Sequence, residues 1–95
     1  MVAYVIVDID ATDAQAFEEY KRLAQLAVVA YGGRYLARGG RTESLEGDWV
    51  PQRLVILEFD SPSRAREWYE SPEYRAARDA RRLAASFRML VTEGL

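Results

Sequence analysis

The sequence contains no cysteine and no histidine. Without cysteine there is no disulfide framework, no thiolate nucleophile and no zinc–sulfur site. Without histidine the chain lacks the commonest general base near neutral pH, the commonest metal ligand and the usual proximal ligand of haem. These two absences exclude many of the common catalytic classes. We therefore expect neither a bound metal nor a cofactor.

Long apolar runs and an excess of positive charge are also missing. The first apolar stretch, residues 3–7, is far shorter than the ~18 residues that cross a bilayer, and no basic segment precedes it. The net charge is −2, so the overall positive charge that usually accompanies nucleic-acid binding is absent. The sequence predicts a cytoplasmic protein with no membrane or nucleic-acid partner. Its 95 residues give room for one domain, residues 1–95.

Hydrophobic periodicity predicts four strands in this chain. Gly39-Gly40 is expected to form a bulge or kink after the second strand, and Glu46-Gly47-Asp48 is expected to be the tip of a hairpin between the second and third. The predicted strands are residues 3–9, 34–38, 53–59 and 87–92.

Two helical regions separate these strands. The first is expected to begin at a capping box formed by residues 12–15, with the Thr12 hydroxyl as the cap, and to end at Gly32-Gly33. The second begins at Ser61, which precedes a proline at the first helical position. It is interrupted at Ser71-Pro72 and continues to about Ala84. The order β-α-β-β-α-β is typical of the ferredoxin-like α+β fold, an antiparallel four-stranded sheet with both helices on one face.

The two faces of the predicted sheet are both apolar. Side chains alternate between faces along a strand, and the odd-numbered strand residues suit the face beneath the helices. Helices on that side leave the even-numbered face uncovered, and a solvated face of this kind is normally polar. We therefore expect two copies of the chain to associate as a homodimer through the even-numbered face. Its six large apolar residues are Tyr4, Ile6, Leu36, Leu54, Ile56 and Leu90.

Several short segments in a fixed order along the whole chain carry a family resemblance. They are Ala30–Leu36, Arg38-Gly39-Gly40, Leu45–Trp49, Glu58-Phe59, Trp68-Tyr69, Ser71–Tyr74 and Glu93-Gly94. With this set the chain resembles the domain of unknown function 1330 family, from which it departs at Asp60, where the family usually has proline. The resemblance implies a dimeric α+β barrel, in which two ferredoxin-like sheets face each other. It implies no single activity, because relatives in that superfamily include cofactor-independent monooxygenases, muconolactone isomerases and haem enzymes.

Three charged residues on the even-numbered face, Asp8, Arg38 and Glu58, are the strongest candidates for a site. A hairpin tip near Gly47 would place Arg38 opposite position 56 or 58, and so beside Glu58. Together with Tyr4 these residues would line a mostly apolar pocket with few polar groups, which is the usual composition of a small-ligand site. In this hypothesis Glu58 or Asp8 is the general base, and Arg38 holds a carboxylate or enolate oxygen of a small acidic molecule.

The same residues also have a structural interpretation. Arg38 and Glu58 would then form an ion pair that fixes strand register or the dimer interface. Trp49 follows the predicted turn, where it would either stack on a ligand or pack against protein. Two functions therefore remain open. One is small-ligand binding or cofactor-free isomerase or oxygenase chemistry in a pocket on the sheet face, and the other is a non-enzymatic dimeric module for structure or interaction.

Two groups of side chains on the second helical region have simpler predictions. Aromatic residues at helical spacing are expected in the core; they are Trp68, Tyr69 and Tyr74. A row of arginines is compatible with a phosphate-binding surface, but nearby acidic residues favour a solvated helix face with intrahelical ion pairs. Its members are Arg75, Arg78 and Arg82, with Arg81 beside them.

Overall fold

The computed structural model describes residues 1–95. It contains one four-stranded antiparallel sheet with strand order β2-β3-β1-β4, packed against helices on one face. The predicted ferredoxin-like order is confirmed, with the second helical region divided into two helices. No helix of the chain has the length and apolar character needed to span a lipid bilayer. The elements are β1 (Ala3–Ala11), α1 (Ala14–Ala30), β2 (Arg34–Arg38), β3 (Arg53–Phe59), α2 (Pro62–Glu70), α3 (Pro72–Arg81) and β4 (Ala85–Glu93).

Helix α1 begins one residue later than the capping-box pattern predicts. Its cap is Asp13, whose Oδ1 accepts hydrogen bonds from the backbone N–H groups of Gln15 at 3.1 Å and Ala16 at 3.2 Å. The predicted cap, Thr12, is wrong for a physical reason. Its backbone N–H and its hydroxyl both donate to the carbonyl oxygen of Ala84, so Thr12 is held by the chain entering β4. An aspartate supplies the same acceptor chemistry at the next position.

Glycines end α1 as predicted. Gly32 adopts a positive φ of 75°, which residues with a Cβ rarely adopt. The Gly33 N–H then donates to the Val28 carbonyl oxygen at 2.8 Å, which closes the last turn in the manner of a Schellman cap. This turn sends the chain directly into β2.

Two serine–proline pairs start the remaining helices. The Ser61 hydroxyl accepts from the Arg64 N–H at 3.0 Å, and the Ser71 hydroxyl accepts from the Tyr74 N–H at 3.0 Å. In each case proline occupies the first turn of the helix, where its missing N–H is tolerated. Ser71 also ends α2, because its hydroxyl donates to the Trp68 carbonyl oxygen at 2.7 Å. Helix α3 stops at Arg81, three residues before the predicted end.

The core lies between the helices and the odd-numbered face of the sheet, as the alternation predicts. Along β1 the odd residues from Ala3 to Ile9 are buried, and the even residues between them are partly exposed. An aromatic cluster forms the centre, with the Trp68 ring centroid 5.1 Å from Phe59 and 4.3 Å from Tyr74. Tyr69, predicted in the core, is 37% exposed because it lies at the outer margin of this cluster.

The helices do not cover the odd-numbered face completely. Val91, an odd-numbered residue near the end of β4, is 41% exposed. Strand β4 is an edge strand, and α2 lies next to it without closing over its outer half. A cleft therefore remains between α2 and β4.

A bulge in β2 changes which face its last residues occupy. Tyr35 pairs with Leu57, but the next pair is Ala37 with Ile56, so Leu36 is the extra residue. The sequence predicted a bulge or kink at Gly39-Gly40: the chain does bend at Gly39, which has a φ of 71°, but the bulge is at Leu36. Because opposite residues of a strand pair share a face, one extra residue moves everything after it to the other face of the sheet.

Candidate functional site

The face of the sheet away from the helices, called the open face below, is uncovered in the protomer. Its central row runs Ala37, Ile56, Ile6 and Leu90 across all four strands. Leu90 is 57% exposed and Leu36, at the bulge, is 53% exposed. The open face is therefore an apolar strip, and charged residues flank it on both sides.

Asp8 and Arg88 form one of these flanking pairs. They are directly opposite each other on β1 and β4, and Arg88 Nη2 lies 2.6 Å from Asp8 Oδ2. The same oxygen accepts a hydrogen bond from the Trp49 indole Nε1 at 3.1 Å. The hydrogen bonds from Arg88 and then from Trp49 hold the pKa of the Asp8 carboxyl below its ordinary value. Asp8 is consequently a fixed anion at neutral pH and a weak base.

The Trp49 hydrogen bond draws the irregular segment of residues 39–52 back over one end of the open face. The turn predicted at Gly47 is present, with a φ of 79°, but it lies within this longer connection. Beside Trp49 there is an open depression of about 500 Å³ whose floor includes Ile6, Asp8 and Leu90. Trp49 is the only predicted ligand-site residue outside the strands, and in the structure it contacts Asp8.

Glu58, at the other flank, has a different partner from the predicted one. It is opposite Arg34 in the β2–β3 register, and Arg34 Nε donates to Glu58 Oε1 at 2.9 Å while Nη2 contacts the same oxygen. Arg34 Nη1 also lies 3.8 Å from Asp60 Oδ1. The predicted pairing of Arg38 with Glu58 is therefore wrong. The half-buried Tyr4 lies next to Glu58 in the adjacent strand.

Arg38 is not on the open face. After the bulge it is paired with Val55, whose side chain faces the helices. Arg38 Nη1 donates to Gln25 Oε1 on α1 at 3.0 Å, and its Cζ lies 4.3 Å from the centroid of the Tyr35 ring. The structure thus brings together Asp8, Trp49 and Arg88, but separates Arg38 from every other predicted site residue.

The cleft between α2 and β4 is a site that the sequence did not suggest. It has a volume of about 260 Å³, and seven of its nine lining residues are hydrophobic, including Val5, Trp68, Met89 and Val91. Trp68 is only 2% exposed, and its indole Nε1–H is buried with no hydrogen-bond partner. No pattern in the sequence could have revealed this donor, because a buried tryptophan normally finds a partner through tertiary contacts.

No group of three or more acidic side chains is arranged to hold a metal ion. In the depression beside Trp49 and in the cleft between α2 and β4, a few polar side chains lie among apolar ones. Their chemistry is therefore hydrogen bonding and charge pairing with a small molecule.

The chain is similar in fold to several solved structures. The RPA0582 protein of unknown function from Rhodopseudomonas palustris is 20% identical with a TM-score of 0.80, and the match covers 99% of this chain and 82% of that one. SnoaB, a cofactor-independent oxygenase from Streptomyces nogalater, is 8% identical with a TM-score of 0.66, covering 99% and 93%. A dimeric ferredoxin-like protein of unknown function from Thermobifida fusca is 14% identical with a TM-score of 0.63, covering 97% and 90%.

At these identities the similarity establishes the fold alone. No curated protein matches the sequence. The family model of DUF1330, a domain of unknown function, matches residues 2–95. The chain therefore belongs to the DUF1330 family.

Proposed function

We propose that this chain forms a homodimer that binds a small, largely apolar molecule through an oxygen that accepts a hydrogen bond. The binding site in this proposal is the α2–β4 cleft of each protomer. The observation that carries it is that Trp68, one of the residues that line this apolar cleft, has a buried indole N–H with no partner.

An unpartnered buried donor is costly. Leaving such a group unsatisfied costs ~1–3 kcal/mol relative to the exposed or bonded group. A ligand oxygen within reach of Trp68 would recover part of that free energy, while the apolar walls provided by Val5, Met89 and Val91 would bury the rest of the molecule. Arg66 and Glu70 line the same cleft on the side of α2. These charges would favour a ligand with a polar end at the solvent-exposed side.

The open face supports the homodimer. Burying a large aliphatic side chain is worth up to ~1.5–3 kcal/mol, and six large apolar residues on this face are at least partly exposed in the protomer. Together they would offset an association cost of ~4–15 kcal/mol. The Thermobifida fusca protein of the same fold is described as dimeric. A second copy of the sheet, related by a two-fold axis, is the simplest cover for a self-complementary apolar strip.

The homodimer is tested by a charge placed on the open face. Leu90→Glu should convert the wild-type species, with twice the chain mass of 10.8 kDa, into a monomer in sedimentation velocity at micromolar concentration. Leu83→Glu is the matched control, because Leu83 is 92% exposed and lies in the turn before β4. A wild-type protein that sediments as a monomer would contradict the proposal, as would equal dissociation by both variants.

Ligand binding is tested with two naphthalene derivatives of similar shape. 1-Acetonaphthone has a carbonyl acceptor and 1-ethylnaphthalene has none. Titration of 15N-labelled protein with 1-acetonaphthone should move the indole N–H signal of Trp68 in a saturable way and leave that of Trp49 in place. Trp68→Phe keeps an aromatic ring but removes the N–H.

Trp68→Phe should weaken the binding of 1-acetonaphthone by about threefold to tenfold, which corresponds to the loss of one net hydrogen bond. Its effect on 1-ethylnaphthalene should be smaller than twofold. Equal weakening of both compounds would mean that the cleft recognises only shape. Absence of any saturable change at Trp68 would refute this site.

A second candidate is binding and cofactor-free chemistry on the open face, with Asp8, Glu58, Tyr4 and Trp49 around the ligand. The depression beside Trp49 and the fold shared with a cofactor-independent oxygenase favour it. The existing ion pairs of Asp8 and Glu58 favour instead a purely structural dimer interface. Oxygen consumption with an enolisable aromatic ketone, lost in Asp8→Asn, would support the catalytic alternative. Loss of the dimer in Asp8→Asn without any change in ligand binding would support the structural dimer interface.

A further inference from the structure

We infer that the C-terminal end of α3 and the start of β4 form a second binding site, for the phosphate group of a small organic molecule. The site is a shallow depression of about 440 Å³ on the surface of the protomer. It does not depend on the proposed function of the α2–β4 cleft. Its lining residues are Tyr69, Arg78, Asp79, Arg81, Arg82, Ala85 and Phe87.

Aromatic rings hold two of the guanidinium groups in place. The Cζ atom of Arg78 lies 4.5 Å from the centroid of the Tyr69 ring, and the Cζ atom of Arg81 lies 3.7 Å from the centroid of Phe87. Stacking of this kind fixes the plane of a guanidinium and leaves its edge for hydrogen bonds. The entropy cost of ordering two long side chains is therefore already met before a ligand binds.

The charges of these two arginines are incompletely compensated. Arg78 Nε and Arg81 Nη1 are buried from solvent and have no hydrogen-bond partner, so each guanidinium has lost hydration without gaining an acceptor. This loss of hydration makes the binding of an anion at the remaining N–H groups more favourable. The ion pairs of the chain are formed by other cationic side chains, and none involves an arginine of this depression. Those cationic side chains are Lys21, Arg22, Arg34, Arg64 and Arg88.

The local charge indicates which anion fits. Arg78, Arg81 and Arg82 contribute three positive charges, and Asp79 contributes one negative charge. The sum matches a phosphate dianion, whereas a carboxylate would leave one positive charge unmatched. Arginine edges also suit the paired oxygens of phosphate. The sequence pattern suggested a solvated face with intrahelical pairs, but Arg78 and Arg81 are half-buried and face aromatic rings instead.

The competing explanation is that the arginines only stabilise the helix. Arg78 and Arg81 are in the last turn of α3, where positive charge interacts favourably with the helix dipole. This role predicts an effect on stability and no saturable anion binding. A binding experiment with matched variants therefore separates the two explanations.

The full-length protein is titrated with inorganic phosphate and, separately, with methyl phosphate at pH 7.5 and constant ionic strength. Binding is followed by calorimetry and by the Nε–H signals of the arginines. Both compounds should bind with a dissociation constant in the millimolar range, and the Nε–H signals of Arg78 and Arg81 should move. Arg78→Gln should weaken binding by about tenfold, because one charge-assisted contact is lost.

Arg75→Gln is the control, since it removes the same charge from the same helix outside the depression. It should change the affinity by less than twofold. Equal weakening by Arg75→Gln and Arg78→Gln would refute the site in favour of general electrostatic attraction, as would equal binding of acetate. Binding of inorganic phosphate without methyl phosphate would refute an organic ligand. Stability changes without saturable binding would leave only the helix-stabilising role.

Discussion

Asp8 and Arg88 are opposite each other on β1 and β4, and Trp49 donates to the same carboxylate oxygen that Arg88 contacts. Three segments distant in the sequence therefore meet at one atom. A pair of opposite charges on facing positions favours a single register between two strands. The Trp49 hydrogen bond additionally ties the 39–52 connection to the sheet. The carboxylate of Asp8 thus links β1 to β4 and to the 39–52 connection at one end of the open face.

Removal of the Asp8 charge should destabilise the protein in a pH-dependent way. Because the folded-state pKa of Asp8 lies below its ordinary value of 3.8, ionised Asp8 stabilises the native state above that value. The contribution is lost as the pH falls through the lowered folded-state pKa. In urea unfolding, Asp8→Asn should be less stable than wild type at pH 7, and the difference should shrink below about pH 4. Asp10→Asn, an exposed change in the same strand, is the control for loss of a carboxylate charge.

The buried hydroxyl pair of Tyr20 and Tyr74 gives a second prediction. Their oxygen atoms are 2.8 Å apart, and burial raises the pKa of both phenols. Tyr20→Phe should lower the free energy of unfolding by ~1–3 kcal/mol, because the Tyr74 hydroxyl loses its partner. The double variant Tyr20→Phe/Tyr74→Phe should lose less free energy of unfolding than the sum of the losses in the two single variants. Tyr31→Phe, which removes an exposed hydrogen bond to Glu73, is the control.

The same pair predicts the alkaline limit of stability. Unfolded tyrosine ionises near pH 10, whereas the folded phenols stay neutral to higher pH. Stability should therefore fall as the pH rises above about 10. Ultraviolet titration should show a smaller absorbance step at unfolding in the double variant Tyr20→Phe/Tyr74→Phe, in which Tyr35 is the remaining phenol whose pKa burial raises. Full ionisation of all tyrosines while the protein remains folded would contradict this account.

Close packing at the end of α1 makes Gly33 intolerant of a side chain. A Cβ at this position would lie 2.6 Å from Phe59 Cε1 and 2.9 Å from Val28 Cγ1. Both contacting atoms belong to buried side chains that have little freedom to move. Gly33→Ala should therefore destabilise the protein by roughly 1–3 kcal/mol. Gly40→Ala, where nothing lies within 4 Å, should leave the thermal midpoint almost unchanged.

Ser71 joins two helices through one hydroxyl. It is 4% exposed, donates to the Trp68 carbonyl oxygen and accepts from the Tyr74 N–H. Ser71→Ala removes both bonds and should cost ~1–2 kcal/mol. Ser63→Ala, at an exposed position in α2, should cost less than ~0.5 kcal/mol. Comparable loss in the two variants, measured by chemical denaturation, would mean that the break between α2 and α3 depends mainly on Pro72.

Local chemistry made most of the fold predictable from the sequence. The β3 strand was predicted with its observed limits because it is a short apolar run that contains the strand formers Val55, Ile56 and Phe59. Ser61 and Ser71 each precede proline, and this pair specifies a helix start without any tertiary information. The apolar even-numbered residues indicated an uncovered sheet face. These features depend on neighbours within a few positions, which the sequence displays directly.

The candidate site was less predictable because it depends on register. The number of residues between Arg38 and Glu58 suggested a pair, but the hairpin register places Arg34 opposite Glu58, and the extra residue at Leu36 turns Arg38 to the helices. The partnership of Asp8 with Arg88 required the alignment of the first and last strands, which no local pattern specifies. The unpartnered Trp68 N–H depends on three-dimensional packing alone.

The bulge at Leu36 also affects how related sequences should be compared. Deleting that one residue would restore a regular β2–β3 ladder and leave Ala37 opposite Ile56 and Arg38 opposite Val55, on the faces that they occupy now. In a relative of the same length whose β2 is regular, by contrast, the residue aligned with Arg38 would lie on the open face, although the aligned letters would look the same. Loss of the bulge without loss of a residue would in this way move charge from one side of the protein to the other without any change in composition.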